Sequence, residues 1–239
     1  MSNPIRIDFI SAVPELLHSP LEHSIIKRAR NAGLVDIHIH DLRAYSDNKH
    51  HRVDDYPYGG GGGMVISPQP VFDCIESLQG ERTYDEVLFP TPDAPVFTQQ
   101  HAVELSLKKN VIILCGHYKG VDQRVRDHLV SRELSIGDYV LSGGELPGLV
   151  ICDAIVRLIP GAIGDARSAL TDSFQDTLLG SPAYTRPDNF RGQTIPDVLI
   201  SGDHKRVEEW RREQALKKTK EVRPDIYENF IQEQQNQER

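Results

Sequence analysis

The sequence predicts an α/β protein, a parallel sheet flanked by helices, followed by a small helical second domain. Three observations carry this expectation. Short apolar strand-like runs alternate with helix-like segments through the amino-terminal part of the 239 residues, which is the pattern of a parallel sheet layered with helices. After "RLIPGAIG" the texture turns small and polar, and strand-like alternation largely stops. A basic amphipathic stretch then begins at His204. These changes divide the chain into a sheet domain over residues 1–163, a linker over 164–172 and a helical domain over 173–239.

Each element follows from its periodicity. "IRIDFIS" and "VDIHIHD", residues 5–11 and 35–41, alternate apolar and polar and read as strands. Pro14 to Ala32 between them reads as one helix. Pro70 to Leu78 reads as another. Val87 to Phe89 and Val111 to Cys115 are short buried strands, separated by a helix from Phe97 to Lys108. Helices are also expected from Val121 to Arg132 and from Pro147 to Ile159. In the second domain a loop-rich middle, "GSPAYTRPDNFRGQTIPD", leads to a helix from His204 to about Val222, and the polar tail "IQEQQNQER" is expected to fray.

Composition narrows the class. Hydrophobic residues make up 38% of the chain, enough for a sizeable core. No apolar run approaches the roughly 18 residues of a membrane helix, and no export signal is visible, so a cytoplasmic protein without membrane attachment is expected. Cys74, Cys115 and Cys152 are far apart and form no CxxC pair, which predicts buried thiols. The net charge is -8, yet its distribution is uneven. Lys205, Arg206, Arg211, Arg212, Lys217, Lys218, Lys220 and Arg223 crowd one helix, a footprint for a polyanion or merely a solvated face.

The glycine-bearing segments are the candidates for chemistry. "YPYGGGGGM", residues 56–64, lacks the Lys-Ser/Thr of a P-loop and the preceding buried strand of a dinucleotide fingerprint. Apolar segments on both sides argue against a linker, leaving a loop that approaches a ligand or other backbone closely. "CGHYKG", residues 115–120, follows a buried strand and opens a helix, where open α/β sheets bind ligands. "SIGDYVLSGGELPG", residues 135–148, carries Gly137, Gly143 and Gly144. Such loops, poor in cations, suit a flat and largely uncharged ligand such as an adenosine. His38 and His40 share a strand face but have no third metal ligand in view, so a solvated strand face is expected.

With these motifs in place the chain resembles bacterial tRNA (guanine-N1)-methyltransferases of the TrmD type, in the SPOUT superfamily. The likeness runs in order through "DFISAVPE", "VDDYPYGGGGGM", "CGHYKG", "SIGDYVLSGGELP", "DAIVRLIPG", "DSF", "SPAYTRP" and "PDVLISGDHKRVEEWR". It implies a sheet domain with a deep trefoil knot, an obligate homodimer, S-adenosylmethionine as cofactor, and methylation of N1 of guanosine-37 in tRNA in support of reading-frame maintenance. It also implies magnesium, although no acidic cluster announces a site. Carried over residue by residue, the cofactor loops are Thr91 and Pro92, then Gly116 and Tyr118, then Ser135, Ile136, Gly137, Asp138, Tyr139, Val140 and Leu141, with Gly143, Gly144 and Pro147. The target guanosine would lie near Asp54, Gly63 and Ser173. Asp172 matches the general base, or alternatively a helix N-cap, and Arg157 matches the cation that stabilises charge on O6. The chain departs from the family at His117 and Lys119, where Arg and Glu are common, and at Ala183, and no catalytic role is assigned to these three. Two rivals are a tRNA-binding module without catalysis and a SPOUT enzyme acting on ribosomal RNA.

Overall fold

A computed structural model describes residues 4–164, 173–174 and 178–237. The chain divides into two compact units, Met1–Ala166 and Arg167–Arg239. Residues 165–172, most of the expected linker, lie outside the described residues.

The first unit is built on a five-stranded, wholly parallel sheet. Its strands are β1 (Ile5–Ser11), β2 (Val35–Asp41), β5 (Glu86–Pro90), β6 (Asn110–Leu114) and β7 (Arg132–Leu134), in the spatial order β2-β1-β6-β5-β7. Two further strands, β3 (Asp54–Asp55) and β4 (Val65–Ile66), pair with each other in an antiparallel ribbon. Alternation along β6 sends Val111 and Ile113 into one core and Ile112 and Leu114 into another, so the sheet is buried on both faces. The first core is completed by α1 (Glu15–Leu21), α2 (Ser24–Asn31), α4 (Gln99–Ser106) and α6 (Glu145–Val156), through residues such as Leu17, Ala29, Leu105 and Ile151. The second is completed by α3 (Pro68–Glu81) and α5 (Gln123–His128), through Val71, Ile75 and Val125. All three cysteines are free and buried.

Several elements differ from expectation. The single helix over residues 14–32 is two, because His23 is extended and Ser24 has φ of 52°, a left-handed conformation that no helix continues through. Val121 to Arg132 is helical only at α5, and the chain then enters β7, which was not anticipated. His40 does not face solvent alone: its Nε2 lies 2.7 Å from Oδ1 of the fully buried Asp8, which also accepts from Arg6 and Tyr84. His38 is exposed as expected and pairs with Asp36.

The second unit holds a short hairpin, β8 (Asn189–Phe190) with β9 (Gln193–Thr194). Its turn residues Arg191 and Gly192 both have positive φ, as a two-residue hairpin turn requires. Helix α7 (His204–Val222) starts at Asp203, whose side chain accepts from the Arg206 N–H. The polar tail does not fray at once: it forms α8 (Pro224–Gln237), with proline at the first position where its missing N–H costs nothing. Among the described residues no helix is long and apolar enough to cross a membrane.

Candidate active site

Strands β6, β5 and β7 are parallel neighbours, so their carboxyl ends deliver three loops to one place. Main-chain bonds lock the loops together. Thr91 donates to the Leu134 carbonyl at 2.9 Å, Phe97 to Ser135 at 2.7 Å and Gly144 to Gly116 at 2.7 Å. Between the loops lies a cavity of about 270 Å³. Every residue given above for the cofactor lines it except Asp138: Thr91, Pro92, Gly116, Tyr118, Ser135, Ile136, Gly137, Tyr139, Val140, Leu141, Gly143, Gly144 and Pro147.

Two of its glycines are there for space. A Cβ at Gly144 would sit 2.7 Å from the Gly116 nitrogen, and one at Gly116 would sit 2.9 Å from the Phe89 ring. Only bare backbone allows that approach. Tyr139, Val140 and Leu141 are substantially exposed at the rim.

The cavity wall also contains a charged network that sequence reasoning missed. The Arg126 guanidinium donates to Glu133 through Nε and Nη2 at 2.7 Å and to Asp93 at 3.0 Å, and it lies 5.5 Å from the centre of the Phe89 ring. Asp93 also accepts from the Thr91 hydroxyl. The Thr91 bond, and Arg126 after it, hold the Asp93 carboxyl below the usual range. The carboxylate of Glu133 beside it, with Asp93, raises the Arg126 pKa further. Nothing local in the sequence marks these three; they meet because β5 and β7 are neighbours. His117 and Lys119 also line the cavity. Glu145 stands behind it, adjoining the glycine pair in "SGGE", and that adjacency was the available signal.

The five-glycine run is anchored beside the cavity at one end only. Lys119 donates to the Met64 carbonyl at 2.9 Å, and a Cβ at Gly63 would lie 2.7 Å from Cγ of Lys119. Gly59 to Gly62 have nothing within 4 Å of a Cβ position, so the close approach expected of the whole run is confined to Gly63 within this chain. Asp54 belongs to the ribbon that carries the run, paired with Ile66.

Arg157 is not at the cavity. It caps the carboxyl end of α6, twelve residues and roughly 18 Å along the helix from Glu145. Asp172 lies outside the described residues. Ser173 belongs to the second unit, where its hydroxyl accepts from the Gly180 N–H at 2.8 Å. No group of His, Cys, Asp and Glu side chains fit to hold a metal ion is found among the described residues.

The second unit has a groove of its own, about 990 Å³, lined by residues 180–188 with Ile195, Leu199, Ile200 and Arg211. Tyr184 stands half exposed in it, 6.4 Å from the Trp210 ring on α7. Arg186 and Arg211 bring positive charge to the same wall.

Residues 5–229 match the family profile described as tRNA (Guanine-1)-methyltransferase TrmD. The tRNA (guanine-N(1)-)-methyltransferase of Flavobacterium psychrophilum is 57% identical over 225 residues, covering 94% of this chain and all of the relative. The protein of that name from Azobacteroides pseudotrichonymphae is 56% identical over 93% of this chain and all of its own length. The one from Chlorobaculum tepidum is 56% identical, covering 93% of this chain and 96% of the relative.

Proposed function

The chain belongs to the tRNA (guanine-1)-methyltransferase TrmD family and is a tRNA (guanine-N1)-methyltransferase; we propose that it takes the methyl group from S-adenosylmethionine and places it on guanosine-37, beside the anticodon. The observation that carries the cofactor reading is the cavity walled by three main-chain loops, with Gly116 and Gly144 in positions where a side chain would intrude. Its guanidinium, Arg126, is committed to Glu133 and Asp93, and the glycine-bearing loops offer main-chain groups that suit an adenosine. S-adenosylmethionine would supply a methyl group activated by its sulfonium. Magnesium, which the resemblance also implies, is assigned no ligands.

The chain's own residues have two tasks. Guanine N1 carries a proton at neutral pH, so a base must remove it, and the negative charge that grows on O6 must be stabilised. Asp172 is the proposed base and Arg157 the proposed cation. The placement of Arg157 at the far end of α6 favours a site shared between two copies of the chain. So does the surface of that helix: Leu146 and Val150, one turn apart on it, are about half exposed, an apolar stripe that a second copy would cover. In such a homodimer the amino-terminal domain carries the knot implied by the resemblance.

The tRNA is proposed to lie on the second unit, where α7 supplies the basic face and the groove around Tyr184 offers an aromatic surface among arginines. With tRNA as its substrate, the cytoplasm is the proposed location. The deciding experiment incubates the protein with methyl-labelled S-adenosylmethionine and two tRNA transcripts, one with guanosine and one with adenosine at position 37. Label in the first alone supports the assignment; equal label in both overturns it.

A further inference from the structure

The amino end of α6 holds a buried carboxylate that the proposed reaction does not use. Glu145 is 1% exposed, and its Oε1 accepts from the Ser11 hydroxyl at 2.7 Å, at the carboxyl end of β1. Its Oε2 has no hydrogen-bond partner among the described residues. That oxygen faces Nδ1 of His117 at 3.7 Å, and the nitrogen is likewise buried and unpartnered. Buried polar atoms are paired almost without exception, and an unpaired one is unfavourable. A shift of less than an ångström in either loop would pair these two.

The surroundings keep that approach open. Gly143 forms an antiparallel bridge with His117. A Cβ on it would lie 2.3 Å from Glu145 Oε2 and 2.5 Å from His117 Nδ1, so any other residue there would wedge the two apart. His117 itself lines the cavity, and the Tyr118 ring packs edge-on against it at 5.0 Å. The two side chains thus connect the loop after β6 to the turn that enters α6, both of which are walls of the same cavity.

We infer that His117 is a positioning residue for the cofactor: its Nδ1–H pairs with the Glu145 carboxylate and holds residues 116–120 against residues 142–145, two walls of the cavity. The inference rests on the reading of the cavity as the S-adenosylmethionine site. The titratable and charged groups around the pair are Tyr118 and Lys119 on its own loop, the buried Cys115 thiol at the end of β6, and Glu145 on α6. On β1 the Ser11 hydroxyl is neutral, and Arg126 and Asp93 in the cavity wall are paired with each other.

The test is calorimetric titration of the full-length protein with S-adenosylmethionine on the wild type, His117→Leu, which removes the donor, and His117→Asn, whose amide N–H can stand where Nδ1–H does. His117→Leu is expected to bind about tenfold more weakly than the wild type. His117→Asn should recover most of that affinity, because it keeps the donor and loses only the ring. Should His117→Leu fail to fold, His117→Gln, whose amide reaches the place of Nε2 rather than Nδ1, takes its part in the comparison with His117→Asn. A His117→Leu protein as tight as wild type, or a His117→Asn protein as weak as His117→Leu, overturns the inference while leaving the cofactor site standing. A wild type that does not bind S-adenosylmethionine overturns the cofactor reading and the inference with it.

Discussion

The Gly144 N–H donates to the Gly116 carbonyl at 2.7 Å, which joins two walls of the cavity main chain to main chain. A methyl group on Gly144 would meet the Gly116 nitrogen and the Cys115 Cα at 2.7 and 2.9 Å, atoms that no rotamer change can move aside. Gly144→Ala should therefore part the loops and weaken S-adenosylmethionine binding by at least about tenfold. Gly80→Ala, with open space around its Cβ, is the control and should bind as wild type. Calorimetry with circular dichroism checks both, and equal affinity in the two would remove the steric argument.

A second expectation concerns stability rather than catalysis. Burial alone would push the Asp8 pKa up, but the bonds from His40, Arg6 and Tyr84 outweigh it and hold the carboxyl well below the usual carboxylate range. A depressed folded-state pKa stabilises the protein at pH values above the unfolded one, about 3.9, and the contribution is lost as the pH falls below that value. Asp8→Asn should cost about 3 kcal/mol at neutral pH, with a deficit that narrows below about pH 4. Urea titrations of both proteins across that range give the answer; a constant deficit would mean that the loss is one of packing.

These two sites show what the sequence makes legible. Strands β1, β2, β5 and β6 announce themselves because burial on one or both faces demands apolar runs or alternation. β7 does not, since Arg132 and Glu133 are spent on pairs with Glu86, Glu104 and Arg126, and charges hide a strand that is only three residues long. The cavity loops are legible through their glycines, because close backbone approach leaves no alternative residue. The Arg126 network is not, as it exists only once β5 and β7 lie side by side. The break between α1 and α2 is equally silent, for it turns on a serine in a conformation more usual for glycine. That Arg157 stands away from the cavity depends on the direction of α6, which periodicity does not report.

The basic face of α7 gives a third expectation. Lys217 and Lys218 are exposed, and the ammonium of Lys218 also donates to the Gly180 carbonyl at 3.3 Å, beside the groove. If the helix meets phosphates, replacing both by glutamine should weaken tRNA binding and reduce the slope of log affinity against log salt by about one for each phosphate no longer neutralised. Cofactor binding should not change. An unaltered slope would mark the helix as a solvated face.

The assigned chemistry gives the last. Asp172→Asn keeps the size of the side chain and removes the basic carboxylate, so methyl transfer should fall by about a hundredfold or more while cofactor affinity survives. Arg157→Ala should slow turnover through the loss of charge stabilisation at O6, by about a hundredfold as for other donors of this kind. Because Arg157 sits roughly 18 Å along α6 from the turn that lines the cavity, one chain is not expected to complete a site alone. In a heterodimer that carries Asp172→Asn on one chain and Arg157→Ala on the other, a shared site puts both lesions in one active site and neither in its twin. Coexpression of differently tagged chains, purification of the heterodimer and single-turnover methylation of tRNA count the surviving sites. About half the wild-type amplitude at the wild-type rate is expected if the two residues come from different chains. If they come from the same chain, each site keeps one lesion and the heterodimer is as slow as its parents, which would refute the shared assignment.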